Sequence, residues 1–148
     1  MSTYDQSSYP VVSESDKHWA AATHWGGMVL AFLTSWIVGA GGFTVPLLIQ
    51  VLRGKDSAFV AQHAKESMNF NLSMFIYAVI GIVVGFLLFG ATVLTLGLGL
   101  IFSIPGAFIL LVAYAVLAIA WVVCSIIGTL RAYEGRPYHY PFTMRLIR

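Results

Sequence analysis

The apolar and polar positions of the chain alternate in a way that predicts helices. A long apolar stretch covers residues 19–52. As one straight helix it would be about 51 Å long, against about 30 Å of bilayer hydrocarbon, so it has to break. The glycine-rich run 39–42 and then Pro46 supply the break, because glycine is flexible and proline lacks an amide donor. The pattern therefore predicts a span over about residues 19–38 and a short helix over 44–53.

Two long helices are predicted in the second half of the chain. A charged loop ends in Ser57, whose hydroxyl can cap a helix that continues to about residue 89. The uncharged, glycine- and threonine-rich stretch 90–103 is predicted to turn the chain. Pro105 then opens a last helix near its first turn, where the missing N–H is harmless, and this helix ends near Arg131.

A polar stripe marks the first of these two helices. Its members recur at helical spacing or flank those that do, and they lead into a long apolar run. The stripe consists of Gln62, His63, Glu66, Ser67, Asn69, Asn71, Ser73 and Tyr77. Such groups are costly in a bilayer unless they face protein or water. Two interpretations stay open: the stripe packs against neighbouring helices near the head groups, or it lines a path with Glu66 as the titratable group.

The last helix carries a face of small and aromatic residues. This face consists of Tyr114, Ala118, Trp121, Ser125 and Gly128. Small residues let membrane helices approach closely, so the face is predicted to be the seam that meets the striped helix. Gly81 and Gly85 form a GxxxG pair, for which self-association is the alternative to packing within the chain.

Composition places the chain among integral membrane proteins. Of its 148 residues 59% are hydrophobic and only 9% are charged, against about 25% in soluble domains. A net charge of +2 gives no indication of nucleic-acid binding. No catalytic motif is present, and His18 and His24 lie about 120° apart around a helix, so they cannot share one metal. We expect no enzyme activity, no cofactor and no metal.

Basic residues predict the topology. Arg53, Lys55 and Lys65 sit around one loop, and the other basic cluster is the C-terminal segment. Lys and Arg near span ends favour the cytoplasm, so both clusters are predicted to be cytoplasmic. Three regions follow: a disordered polar tail, 1–17, that is not a signal peptide; a helical membrane domain, 18–131; and a cytoplasmic tail, 132–148. The side of the N-terminus stays open, because the short helix can cross the membrane or only re-enter it.

The predicted C-terminal tail is both basic and aromatic. It is expected to hold the membrane surface through Arg131, Arg136, Tyr138, Tyr140 and Arg145. The alternative is a latch in which Arg145 folds back to pair with Glu66 or Glu134.

Three sequence blocks resemble a known family. They are ATHWGG at 22–27 with VPLLI at 45–49, FVAQHAKESMNFNLS at 59–73, and RAYEGRPYHYPFTMRLI at 131–147. With them the chain resembles the DUF4870 family, bacterial proteins described as similar to Tic20 of the chloroplast import apparatus. The resemblance implies a helical membrane protein of that layout and no particular reaction.

Together these observations predict an all-α integral membrane protein of the inner membrane. It should have three long transmembrane helices and one short helix after the glycine-rich break. The preferred function is that of a non-enzymatic subunit, embedded in lipid, that packs against itself or another membrane protein. The alternative is a small oligomeric transporter or channel whose path is lined by the polar stripe, with Gln62, Glu66, Asn69 and Ser73 as the lining residues.

Overall fold

The computed structural model describes residues 12–37 and 39–147, and every regular element in these ranges is helical. The all-helical prediction is thereby confirmed. The helices are α1 (Glu14–Leu33), α2 (Thr44–Arg53), α3 (Ala58–Leu94) and α4 (Leu100–Tyr133). Residues 1–11 of the predicted disordered tail lie outside the described residues.

The start of α1 corrects the predicted N-terminal boundary. The Ser13 side chain accepts a hydrogen bond from the Asp16 amide at 3.1 Å, which caps a helix beginning at Glu14. Residues 14–17 are therefore helical, because a serine N-cap with acidic residues in the first turn stabilises a helix start.

The break after α1 comes earlier than predicted. The Thr34 hydroxyl bonds back to the Leu30 carbonyl at 2.7 Å and accepts the Gly41 amide at 3.0 Å, so the chain turns at Leu33 instead of at residue 38. Two short 3₁₀ turns then lead into α2, which has the predicted bounds. Pro46 lies in the first turn of α2, where its missing N–H is harmless.

The two long helices are longer than predicted. Ser57 caps α3 as expected, but α3 continues to Leu94, and the turn is only Thr95–Gly99 instead of 90–103. Pro105 lies inside α4 and does not open it. Helix extends on both sides of the turn, where it satisfies the backbone hydrogen-bonding groups within the segment itself.

Burial divides the α3–α4 hairpin into two halves. The buried residues of α3 all lie between Val60 and Ser73, and those of α4 are Ser125, Gly128 and Ala132. We call residues 79–113 the hairpin extension; within it only Gly99 is buried. The other elements therefore surround one end of the hairpin, which we call the base, and leave the extension as a bare pair of apolar helices.

Only two helices in the described ranges, α3 and α4, are long and apolar enough to cross a membrane. The prediction of three long spans is not confirmed, because α1 begins with a charged turn and α2 has only 10 residues.

Small residues form the core of the base. Ala20 and Ala21 of α1 meet Ile49, Val60 and Ala132, which come from the three other helices. Alanine lets the helix axes approach closely, so that α1 packs on both long helices. This packing places one face of α1 directly against the polar stripe.

The end of α4 reverses the chain direction. Gly135 has a φ of +70°, its amide bonds to the Ala132 carbonyl, and the Arg136 amide bonds to the Arg131 carbonyl at 2.9 Å. This is the Schellman arrangement, in which glycine adopts the left-handed conformation without steric cost. The turn sends the following residues back towards α3.

Candidate functional site

The C-terminal segment lies along α3 and is held there by the polar stripe. We call residues 136–147 the tail. At its start the Glu66 carboxylate accepts hydrogen bonds from His139 Nδ1 at 2.9 Å and from the Tyr140 amide at 3.4 Å. The partner of Glu66 in this structure is therefore His139 and not Arg145, for which no ion pair is found among the described residues.

The middle of the tail forms a turn beside the C-terminal part of the stripe. The Tyr77 hydroxyl donates to the Phe142 carbonyl at 2.9 Å, and the Met144 amide donates to the Ser73 hydroxyl at 2.8 Å. Phe142 has a φ of +57° and lies at the tip of the turn. A bulky residue rarely adopts this conformation, which costs on the order of 1 kcal/mol and is kept only where neighbouring contacts impose it.

The end of the tail returns to Asn69. The Asn69 Oδ1 atom accepts the amides of Leu146 at 3.1 Å and Ile147 at 2.8 Å, and its Nδ2 atom donates to the Ile147 carbonyl at 2.9 Å. One amide side chain thus pairs with three backbone groups, as a neighbouring β-strand would. The tail runs along α3 from Glu66 towards Tyr77, then reverses and returns to Asn69.

The other side of the stripe faces the helices of the base. The Ser67 hydroxyl donates to the Thr23 carbonyl at 2.7 Å. Asn71 Nδ2 donates to the Ser67 carbonyl at 2.9 Å, and Asn71 Oδ1 accepts from Trp121 at 3.2 Å. Gln62 makes no side-chain hydrogen bond to the described residues. Seven of the eight stripe residues therefore bond to other parts of the chain.

A chain of hydrogen bonds runs through the centre of the base. Tyr140 Oη lies 2.7 Å from His24 Nδ1, His24 Nε2 lies 2.7 Å from His63 Nδ1, and His63 Nε2 lies 3.1 Å from the Arg136 carbonyl. Both imidazoles are buried. The chain links α1, α3 and the tail.

The terminal carbonyl determines the direction of every bond in this chain. A carbonyl only accepts, so His63 Nε2 carries the proton, and in a neutral ring Nδ1 is then the acceptor. His24 must donate from Nε2, which leaves its Nδ1 to accept from the Tyr140 hydroxyl. If both rings were protonated, two N–H groups would face each other at 2.7 Å, so the cluster accommodates at most one additional proton.

Tyr140 closes the cluster from the tail side. It is 6% exposed, and its ring stacks on Phe70 with centroids 3.9 Å apart and planes 11° apart. Burial raises the pKa of Tyr140 well above its usual range, with Tyr138 adding to the shift, so the hydroxyl stays protonated and can donate to His24. The predicted role of Tyr140 as a surface anchor differs from this position, because the ring faces the base.

The predicted seam of α4 contacts α3 at one end and the site at the other. Tyr114 donates to the Ala78 carbonyl, and Trp121 bonds to Asn71. Ala118 is exposed beside these two residues at an apolar cleft of about 330 Å³ between the end of α1, α3 and α4. Ser125 is buried in the base. Gly128 faces His24, Tyr138 and Tyr140, where a Cβ atom would lie 3.1 Å from each.

The α3 glycines of the GxxxG pair face α4 of the same chain. A Cβ on Gly81 would overlap the Tyr114 ring, and one on Gly85 would contact Leu110. Close packing against Tyr114 inside the chain therefore accounts for Gly81, whereas an alanine Cβ would fit at Gly85.

The predicted basic anchors are divided between ion pairs and solvent. Arg131 and Arg136 lie 3.4 Å and 3.3 Å from the Glu134 carboxylate, while Arg145 is exposed. Tyr138 turns towards the base, with its ring 4.8 Å from that of Tyr140. Exposed pairs of this kind contribute little, about 0–1 kcal/mol each.

Sequence reasoning missed two members of the site. His24 entered the sequence analysis only as a residue that cannot share a metal with His18, and it is the central residue of the hydrogen-bond chain. His139 was not assigned to the site and pairs with Glu66. The available signal was the polar Thr23–His24 pair inside an otherwise apolar segment.

Hydrogen bonding is the chemistry that this arrangement supports. Among the described residues no three His, Cys, Asp or Glu side chains come together as a metal-binding group. The nitrogens of His24 and His63 that face each other are occupied by their mutual bond.

Comparison with known proteins gives one result. The model of the family described as "Magnetosome magnetite crystal formation protein family" (MamF/MmsF) matches residues 15–147, which includes all four helices except the first residue of α1, and the tail. The chain belongs to the MamF/MmsF family. No curated protein and no solved structure matches it.

The family match corrects the resemblance drawn from sequence. The resemblance of the blocks at 22–27 with 45–49, 59–73 and 131–147 to the DUF4870 family and its Tic20-like layout is wrong: the matched family is MamF/MmsF. The residues themselves keep their importance, because all three blocks lie in the matched region and supply the cluster, the stripe and the tail.

One prediction concerns the hold of Asn69 on the tail. Asn69→Ala removes three hydrogen bonds to residues 146–147. The free energy that holds the tail end on α3 should fall by about 1.4 kcal/mol, so the tail end should open about tenfold more often. Trypsin cleavage after Arg145 in detergent, followed by mass spectrometry, measures this opening.

Gln62→Ala is the matched control for this measurement, since Gln62 is a stripe amide without a bond to the described tail. Its cleavage rate should equal that of the unsubstituted protein. Equal rates in the Asn69 variant and the control would contradict the assigned role of Asn69.

Proposed function

We propose that this MamF/MmsF protein is a non-enzymatic integral membrane protein that acts in the membrane where magnetite crystals form. The family match over residues 15–147 carries the proposal. The two long apolar helices support it, because their exposed residues need lipid or protein around them.

Membrane insertion is proposed to rest on the α3–α4 hairpin. Its connecting turn is short and uncharged, and α3 and α4 end near the same level, as a helical hairpin across a bilayer requires. The loop before α3 and the end of α4 then lie on one side, and the positive-inside rule makes that side the cytoplasm. Helices α1 and α2 form a broken pair that enters the bilayer from this side.

The polar stripe is proposed to serve packing within the protein. Its side chains on one face are engaged by the tail, and those on the other face bond to α1 and α4. This engagement favours the packing interpretation over a lined path, since a transport path needs polar groups that remain free for the substrate. Packing of this kind gives a rigid base from which the hairpin extends into the membrane.

Deletion of the gene in the source organism tests the proposal. The size, shape and number of magnetite crystals, measured by electron microscopy, should change, and the intact chain should restore them. The protein should also be recovered with purified magnetosome membranes after a carbonate wash that removes peripheral proteins. Unchanged crystals in the deletion strain, or release of the protein by carbonate, would contradict the proposal.

A further inference from the structure

The position of the tail turn relative to the membrane follows from the length of α3. This helix has 37 residues, and the hydrocarbon of a bilayer takes about 20 helical residues. Only 17 residues of α3 precede residue 75 and only 17 follow residue 77. Any stretch of about 20 consecutive residues within α3 must therefore include residues 75–77.

Tyr77 connects this stretch to the tail. Its hydroxyl bonds the Phe142 carbonyl at 2.9 Å, and helix side chains lean towards the N-terminus by up to a turn. The hydroxyl thus lies near the level of Ser73, which bonds the next amide of the tail. Wherever α3 sits in a bilayer, the tip of the tail lies at the hydrocarbon boundary or inside it.

The tail carries apolar side chains at this level. Phe142 at the tip is 86% exposed, and Leu146 is 54% exposed. Leaving an apolar side chain of this size in water is unfavourable by about 1.5–3 kcal/mol compared with burying it in apolar surroundings. The same side chain is well placed if lipid surrounds it.

The stripe supplies what an irregular segment needs at such a depth. Non-helical backbone is tolerated in a membrane only where protein or water satisfies its polar groups. Tyr77, Ser73 and Asn69 do this for five backbone groups of residues 142–147. The polar stripe of α3 therefore has a use that depends on the tail.

We infer that residues 141–147 form a re-entrant lipid-contacting turn at the hydrocarbon boundary, in which Phe142 inserts into acyl chains, the long side chain of Arg145 extends to the head groups, and α3 satisfies the backbone. The partner is the hydrocarbon edge of the leaflet next to the base. The tail thus contacts lipid from within the membrane, beside α3, and not only from its surface. This inference rests on the proposed function, in that α3 crosses a bilayer.

Spin labels at single cysteines test the inference in lipid vesicles. The chain has one cysteine, Cys124, so the background is Cys124→Ala. Labels are placed by Phe142→Cys in the tail, by Phe86→Cys on the exposed face of α3 as the lipid control, and by Lys55→Cys in the charged loop as the water control. Collisions with oxygen, which partitions into hydrocarbon, are compared with collisions with a water-soluble nickel chelate.

The ratio of oxygen to nickel collisions at position 142 should approach that at position 86 and exceed that at position 55 by about tenfold. Tyr77→Phe, which removes the bond to the turn, should lower the ratio at 142 and leave the ratio at 86 unchanged. A label at Thr143→Cys gives the same readout if the substitution at Phe142 disturbs the turn.

Two contrary results are distinguishable. If labels at positions 142 and 143 both give the ratio found at the water control, position 55, while position 86 gives a lipid ratio, the re-entrant turn is overturned. The proposed membrane function is not contradicted by that result. A ratio at 86 equal to that at 55 would show that α3 is not in the bilayer, and both proposals would fail together.

Discussion

Replacing Tyr140 with alanine should lower the free energy of unfolding by about 3–5 kcal/mol, the largest effect expected from one side chain of the tail. The substitution removes a buried ring that stacks on Phe70 and opens a cavity in the base. It also leaves His24 Nδ1 without its hydrogen-bond donor in a buried place, which adds a desolvation cost. Thermal or denaturant unfolding of the detergent-solubilised protein measures the change.

Two further variants separate the contributions at Tyr140. Tyr140→Phe keeps the ring and removes only the hydroxyl, so it should cost about 1–3 kcal/mol, the penalty of one unsatisfied buried group. Tyr133→Ala is the matched control, because Tyr133 is 45% exposed at the end of α4, and it should cost less than about 1 kcal/mol. A loss at Tyr133 as large as that at Tyr140 would show that the cluster is not the basis of the effect.

Substitution of Gly42 by alanine should lower the free energy of unfolding by about 2–3 kcal/mol. A Cβ atom there would lie 2.7 Å from Asn71 Oδ1 and 2.8 Å from the Ala31 Cβ, so the break after α1 would have to move away from α3. The movement also disturbs the bond between Trp121 and Asn71. Unfolding in detergent measures the loss.

Gly90→Ala is the control for this substitution. Gly90 lies inside α3 in the hairpin extension, and a Cβ atom there would have no neighbour within 4 Å. Alanine is the better helix former, so this variant should be unchanged or more stable by about 0.5–1 kcal/mol. Equal losses at the two glycines would contradict the packing described for the break.

Local signals predicted the helices and their caps. The Ser57 cap and the bounds of α2 both follow from rules that involve a few neighbouring residues. The errors occurred where local propensity competes with surroundings: glycine and threonine in 90–103 suggested a long turn, yet most of these residues are helical.

The candidate site was only partly predictable. Helical spacing was sufficient to find the stripe, because the residues that share a face of α3 follow from its period. Its partners could not be found this way. Asn69 bonds to Leu146 and Ile147, which follow it by 77 and 78 positions in the sequence. Nothing in the local pattern of 141–147 indicates a turn that returns to α3.

The role of the tail shows the same limit. Arginines and tyrosines near a span end favour a surface anchor by composition, and the latch alternative placed the contact at Arg145. The fold instead brings His139 to Glu66 and turns Tyr140 inward, because the Schellman turn at Gly135 sets the direction of the tail. The direction that the chain takes after a helix end depends on backbone dihedral angles, and composition alone does not predict these angles.

The distance in sequence between His24 and Tyr140 also determines the order in which the protein can assemble. Their bond joins residues 116 positions apart, so it cannot form until the whole hairpin has been synthesised and has brought its two ends together. The stripe is synthesised before the tail, and until the tail docks, the side chains of Asn69, Ser73 and Tyr77 need other hydrogen-bond partners. Docking of the tail therefore cannot precede the synthesis of residues 136–147, and the hydrogen-bond chain through His24 is completed only after it.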